Sequence, residues 1–228
     1  MVNDKEAQDF AVLAYDHKAS APRGWVRDKA LTDADSQVFH HPERKETHIS
    51  YRGTSSLGNA KTAAAMYLGL EDSRVKQESN KFKKAHKKYG KVSLSGHSLG
   101  GTLADKIGEK HESKVKSLHT FGALETPHMH SKDRKCGKPE NRTLPECKAQ
   151  TKRTRTRTKY DPVSYYYHGG ANKNVTEKHS TLGAQGVIPF HSTNVYSDKM
   201  QKKKKIVKSP GNYVAKRRRY HGRYSNKR

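Results

Sequence analysis

The residues in this chain best suited to chemistry lie in Val92-Ser93-Leu94-Ser95-Gly96-His97-Ser98-Leu99-Gly100-Gly101-Thr102-Leu103-Ala104. An apolar-alternating run leads into Gly-x-Ser-x-Gly, and a helix-compatible segment follows. A strand that turns abruptly into a helix must hold its corner residue at strained backbone angles, and Gly96 and Gly100 remove the Cβ atoms that would clash there. The corner side chain, Ser98, is then pushed out at a helix N-terminus, where N–H groups and the helix dipole favour a developing negative charge. This spacing reads as a nucleophile elbow. As a plain Gly/Ser turn it would carry no such requirement.

A serine hydroxyl needs a base within hydrogen-bond reach, and the base needs a partner to fix its tautomer. In elbow enzymes the chain order is Ser, then Asp or Glu, then His. Tyr160-Asp161-Pro162-Val163 places a carboxylate at the end of an expected strand, so Asp161 is the candidate acid. Three later histidines stand out as bases. His168 follows Asp161 too closely to come from a separate loop, and His179 falls in the polar stretch Glu177-Lys178-His179-Ser180, read as a loop. His191 sits between the apolar run Val187-Ile188-Pro189-Phe190 and a helix-like start at Ser192, which holds it better. His191 is favoured and His179 remains the alternative. For the oxyanion, Leu99 N–H comes with the elbow. The second donor is expected from Ser50-Tyr51-Arg52-Gly53-Thr54, where Gly53 permits close approach and Thr54 offers N–H and hydroxyl.

Elements must position these groups. Phe10–Tyr15 reads as an opening helix, and Gln37–His40 with Thr47–Tyr51 as a hairpin or neighbouring strands. Ala60–Leu70 is alanine-rich and helical, and Asp72-Ser73 caps a further helix to about Lys88. A strand to Ser95, a helix from Ser98 to about Lys110 and a strand over 115–122 follow. Arg153-Thr154-Arg155-Thr156-Arg157-Thr158 alternates with period two and reads as a strand with an arginine-rich face. The order implies an α/β fold with a mostly parallel central sheet and helices on both faces.

Four motifs taken together carry a family resemblance. Ile49-Ser50-Tyr51-Arg52-Gly53-Thr54, Ser95-Gly96-His97-Ser98-Leu99-Gly100-Gly101, Thr120-Phe121-Gly122-Ala123 and Tyr160-Asp161-Pro162-Val163 occur in the order found in class 3 lipases. From about Phe10 to Tyr196 the chain resembles that α/β-hydrolase family. The resemblance implies hydrolysis of carboxylic esters, usually acylglycerols or phospholipids, with no metal or cofactor. It assigns Ser98 as nucleophile, Asp161 as acid, Thr54 and Leu99 as oxyanion support and His191 as base. A lid would fall around Ser56–Leu68. The segment after Ala123 departs from the family by lacking its Pro/Gly pattern. In size and basic composition the chain resembles members encoded by some large DNA viruses and their satellites.

Composition sets the outer bounds. The chain has 228 residues, 31 % of them apolar, which suits one domain over 1–198 and a tail over 199–228 rather than two cores. No apolar run is long enough for a spanning helix, and the amino terminus lacks a secretory h-region, so a cytoplasmic, nuclear or virion-associated location is expected. Asn141-Arg142-Thr143 is then an idle glycosylation pattern. Cys136 and Cys147 lie near His128 and His130, and four such side chains could hold zinc. The spacing has no Cys-x-x-Cys knuckle, so a surface insertion with free thiols or one local bridge is the preferred reading.

Net charge is +25, from 47 Lys and Arg against 22 Asp and Glu. No acid follows Asp198, so the tail repels itself and is expected to stay disordered as an interaction segment. Nucleic acid or an anionic membrane surface would suit it, and the Arg/Thr alternation adds to the nucleic-acid reading. Lys202–Lys205 and Lys216–Arg219 have the spacing of a bipartite nuclear-import signal.

Overall fold

The computed structural model describes residues 1–53, 73–124, 135, 138–141, 143, 144, 147, 151–158 and 175–180, with the backbone alone at 139, 157, 158 and 175–180. Asn3 opens helix α1 (Asp4–Leu13): its side chain accepts the Glu6 N–H, and the Glu6 carboxylate accepts the Asn3 N–H. This reciprocal cap starts the helix well before the apolar run from Phe10 that marks it in the sequence.

Among the described residues seven strands follow in one sheet whose spatial order is the chain order. They are β1 (Val26–Arg27), β2 (Ser36–His41), β3 (Glu46–Tyr51), β4 (Val92–His97), β5 (Val115–Phe121), β6 (Arg153–Thr158) and β7 (Val175–Ser180). β1, β2 and β3 pair antiparallel, and β3 through β7 run parallel. The C-terminal ends of the five parallel strands therefore share one edge of the sheet. Helix α2 (Ser73–Tyr89) precedes β4 and helix α3 (Leu99–Lys110) follows it. The α/β class, the mostly parallel sheet and the helices on both faces agree with expectation.

The faces differ in character. Val38, Ile49, Tyr51, Val92 and Leu94 point to α2 and α3, meeting Val75, Phe82, Leu103 and Ile107 in an apolar core. On the other face Phe10 of α1 packs Trp25 at 4.9 Å and Phe39 at 4.8 Å, and stacks on His48 at 4.4 Å. Val2, Ala7, Ala11 and Phe121 complete this second apolar cluster, beside which lies a buried polar chain. His48 Nε2 meets Ser95 Oγ at 2.7 Å, Ser95 donates to Ser50 Oγ at 3.1 Å, and Ser50 donates to the Phe10 carbonyl at 2.8 Å. Because Ser95 gives its one proton to Ser50, it accepts from His48, which fixes the proton on Nε2. Burial, and then the charge of neighbouring His119, hold the His48 pKa well below the usual imidazole value.

Two expectations change. The stretch containing His179 is strand β7 and not a loop, with His179 opposite Arg157 of β6. Its polar sequence hides a strand because the parallel partner, β6, supplies the pairing. The arginine face of β6 is not a solvent face either: Arg153 and Arg155 are buried. Arg155 donates to Asp105 of α3 at 3.0 Å, while Arg153 pairs with Asp105 at 3.4 Å and Glu112 at 3.4 Å. These two guanidinium groups are committed inside the fold and do not serve as phosphate contacts. The helix expected over Ala60–Leu70, most of the insertion and the tail lie outside the described residues.

Candidate active site

Ser98 joins β4 to α3 at φ 56° and ψ −130°. That is a left-handed φ which L-residues adopt at a cost, and it persists where the surroundings over-determine it. Here they do. The Ser98 N–H donates to the Phe121 carbonyl at 2.9 Å, and the Gly101 and Thr102 N–H groups return to the Ser98 carbonyl at 2.9 and 3.2 Å. A Cβ on Gly96 would lie 2.2 Å from the Gly100 carbonyl oxygen, so strand and helix meet too closely for a side chain. The Ser98 side chain is half-buried at the C-terminal edge of the sheet. Leu99, buried, is the first residue of α3, and its N–H is one of the helix's orphan donors.

The exit from β3 lies against this corner. A Cβ on Gly53 would come within 3.1 Å of the Ser98 Cβ and 2.7 Å of the His97 carbonyl oxygen. Tyr15, just past α1, accepts the Gly53 N–H at 3.0 Å and lies 2.9 Å from His97 Nδ1. The phenol oxygen thus joins the Gly53 backbone to the His97 imidazole through hydrogen bonds. Burial raises the Tyr15 pKa, which keeps the phenol protonated. Since Tyr15 occupies the Gly53 N–H, an oxyanion donor from this loop must come from a later N–H. Arg74 of α2 fastens the same turn by donating to the Arg52 carbonyl at 2.6 Å, and the Arg52 N–H donates to the Asp35 carbonyl at 2.9 Å.

Of the site residues expected from sequence, Ser98 and Leu99 are described and adjoin the Gly53 turn. Thr54, Asp161, His168 and His191 lie outside the described residues, as does the lid segment; of His179 only the backbone is described. Cys147 is disulfide-bonded, which withdraws its sulfur from any zinc site. Among the described residues no cluster of three or more His, Cys, Asp or Glu could hold a metal ion, and no helix is long and apolar enough to cross a membrane. Sequence reasoning missed Tyr15, His97 and Arg74. Their roles depend on loops meeting in space, and no local pattern signals them.

No protein-family model matches the sequence, nor does any curated protein. Solved structures are similar in outline. The Lip2 lipase of Yarrowia lipolytica aligns over 86 % of this chain and 88 % of its own at 12 % identity, with a TM-score of 0.47. A CIB-like hydrolase from Thermoplasma acidophilum aligns over 75 % and 92 % at 10 % identity, TM-score 0.42. MGS-MChE2, an α/β hydrolase from lagoon-sediment metagenome, aligns over 57 % and 69 % at 15 % identity, TM-score 0.33.

Proposed function

We propose that the protein is a serine hydrolase that cleaves carboxylic esters of lipids, as a triacylglycerol lipase or phospholipase, through Ser98, Asp161 and His191. The observation that carries this reading is the strained φ of Ser98 at the β4–α3 corner, with the Gly53 turn packed against its Cβ. The resemblance of the four motifs to class 3 lipases supports lipid esters as the substrate class.

Strand order supports the acid and the base. β6 is parallel to its neighbours, so Asp161, three residues past Thr158, follows a strand that ends on the Ser98 edge. β7 ends on that edge too, and His191 comes eleven residues after Ser180. His179 lies within β7, three strands from β4, a lateral separation of about 14 Å. That is too far for one hydrogen bond to bridge a histidine and a serine side chain, so the reading favours His191 as base.

In this mechanism Ser98 Oγ attacks the ester carbonyl carbon as His191 accepts its proton, and Asp161 orients the imidazole and stabilises its cation. The negative oxygen is met by the N–H groups of Leu99 and Thr54. His191 then gives its proton to the departing alkoxide, and an acyl group remains on Ser98. Water, deprotonated by His191, attacks the acyl carbon and releases the acid and free Ser98.

A fluorophosphonate probe with peptide mapping tests the assignment. Modification at Ser98, lost in Ser98→Ala along with turnover of short p-nitrophenyl esters, is the expected result. Labelling or turnover that survives in folded Ser98→Ala overturns it.

A further inference from the structure

Among the described residues, the helices on the two sides of the sheet differ in charge. α1, on one side, carries Asp4, Glu6 and Asp9 against a single lysine. α2, on the other, carries six lysines, and its one acid, Glu78, is buried against Ser36 and Lys81. Every exposed residue of α2 is Lys, Ser, Gln or Asn. A merely high net charge would spread lysine over both faces.

The exposed cations follow the helix axis, with uncharged Gln77 and Asn80 between Lys76 and Lys83. Lys76, Lys83, Lys84 and Lys87 are exposed at helical spacing, and Lys76 to Lys87 spans about 16 Å along the axis. His111, past the end of α3, stacks on Phe82 at 4.8 Å and meets Ser79 Oγ at 2.7 Å. That packing brings the end of α3, with Lys110 and Lys114, beside Lys83. The His111 pKa is lowered by burial and then by Lys83, Lys114 and Lys110, as expected where these charges converge.

We propose that the exposed face of α2, with the adjoining end of α3, is a docking surface for nucleic acid, gripped through the phosphate backbone without regard to base sequence. A duplex carries one charge per about 1.7 Å of axis, so a rigid row of this length meets several phosphates at once. No aromatic side chain is exposed on α2, so base stacking plays no part. A bilayer fits the surface less well. Interfacial helices set apolar side chains beneath their cations, and none is exposed here.

The test is lysine acetylation footprinting on the full chain, alone, with a random-sequence 20-bp DNA duplex, and with vesicles of phosphatidylcholine containing phosphatidylserine. Duplex DNA is expected to protect Lys76, Lys83, Lys84 and Lys87 while Lys5, on the opposite face, stays reactive. In parallel, the triple variant Lys83→Gln/Lys84→Gln/Lys87→Gln lowers the slope of log K against log salt by about 0.9 for each phosphate no longer neutralised, with ester turnover unchanged. If only tail lysines are protected, or the variant keeps the wild-type slope, the surface is not the docking site. If vesicles protect the α2 lysines and DNA does not, the surface belongs to a membrane and the nucleic-acid assignment falls.

Discussion

The hydroxyl of Tyr15 lies 2.9 Å from Nδ1 of His97, and it also accepts the Gly53 N–H at 3.0 Å. One phenol thus ties the end of α1 to the residue before Ser98 and to the turn beside it. Tyr15→Phe leaves a backbone N–H and an imidazole nitrogen without this partner, at a cost of about 1–3 kcal/mol in stability. It also loosens the Gly53 turn that packs against Ser98. The expected outcome is a fall in kcat on the order of tenfold with KM little changed, read from ester kinetics beside a thermal melt. Unchanged kcat in a variant that melts earlier would make the clamp structural only.

Gly53 is a second sensitive point. An added Cβ would stand 2.1 Å from the Tyr15 hydroxyl and 2.7 Å from the His97 carbonyl oxygen. Tyr15→Phe removes the first clash but leaves the second, which is backbone. Gly53→Ala should therefore abolish ester turnover, and combining it with Tyr15→Phe should not restore it. Activity regained in the double variant would show that the backbone around Ser98 is softer than its hydrogen bonds imply.

Elements with strong local signals were legible in the sequence. The β4–elbow–α3 unit, the β2–β3 pair and β5 stand close to where alternation and turn residues put them. α1 begins earlier than its apolar run because the Asn3/Glu6 cap, itself a readable pattern, sets its start. β7 was obscured because Glu177-Lys178-His179 looks like loop chemistry and becomes strand only by pairing with β6. The corner at Ser98 was readable because strain and glycine spacing are local. The Tyr15–His97–Gly53 contacts join three separate segments, and their partners lie 38 and 82 residues from Tyr15.

The burial of the β6 arginines makes Asp105 the main acceptor of a charged cluster. Asp105→Asn removes the charge while Arg155 stays buried, and breaking such a pair costs about 3–5 kcal/mol. Arg153 also pairs with Glu112, so the substitution weakens a shared cluster. Urea denaturation should show the drop as a lower midpoint at unchanged m-value. Replacing Asp105 and Arg155 together by leucine should recover part of it, since the pair leaves no orphaned charge. A single variant within about 1 kcal/mol of wild type would mean that water reaches this cluster.

Stability toward acid should track Glu46. Burial alone would raise its pKa, but hydrogen bonds from Lys116, the N-terminal ammonium and Arg44 outweigh that and hold it at about 2, below the ordinary 4.5. The folded state therefore binds this proton less readily than the unfolded chain does. The stabilisation is full above about pH 4.5 and is lost as pH falls toward 2. Glu46→Gln removes the acceptor charge, so it should lower stability at pH 7 and flatten the decline between pH 4.5 and 2. Chemical denaturation across that range checks both effects. A variant whose stability falls as steeply with acid as the wild type would place the responsible carboxylate elsewhere.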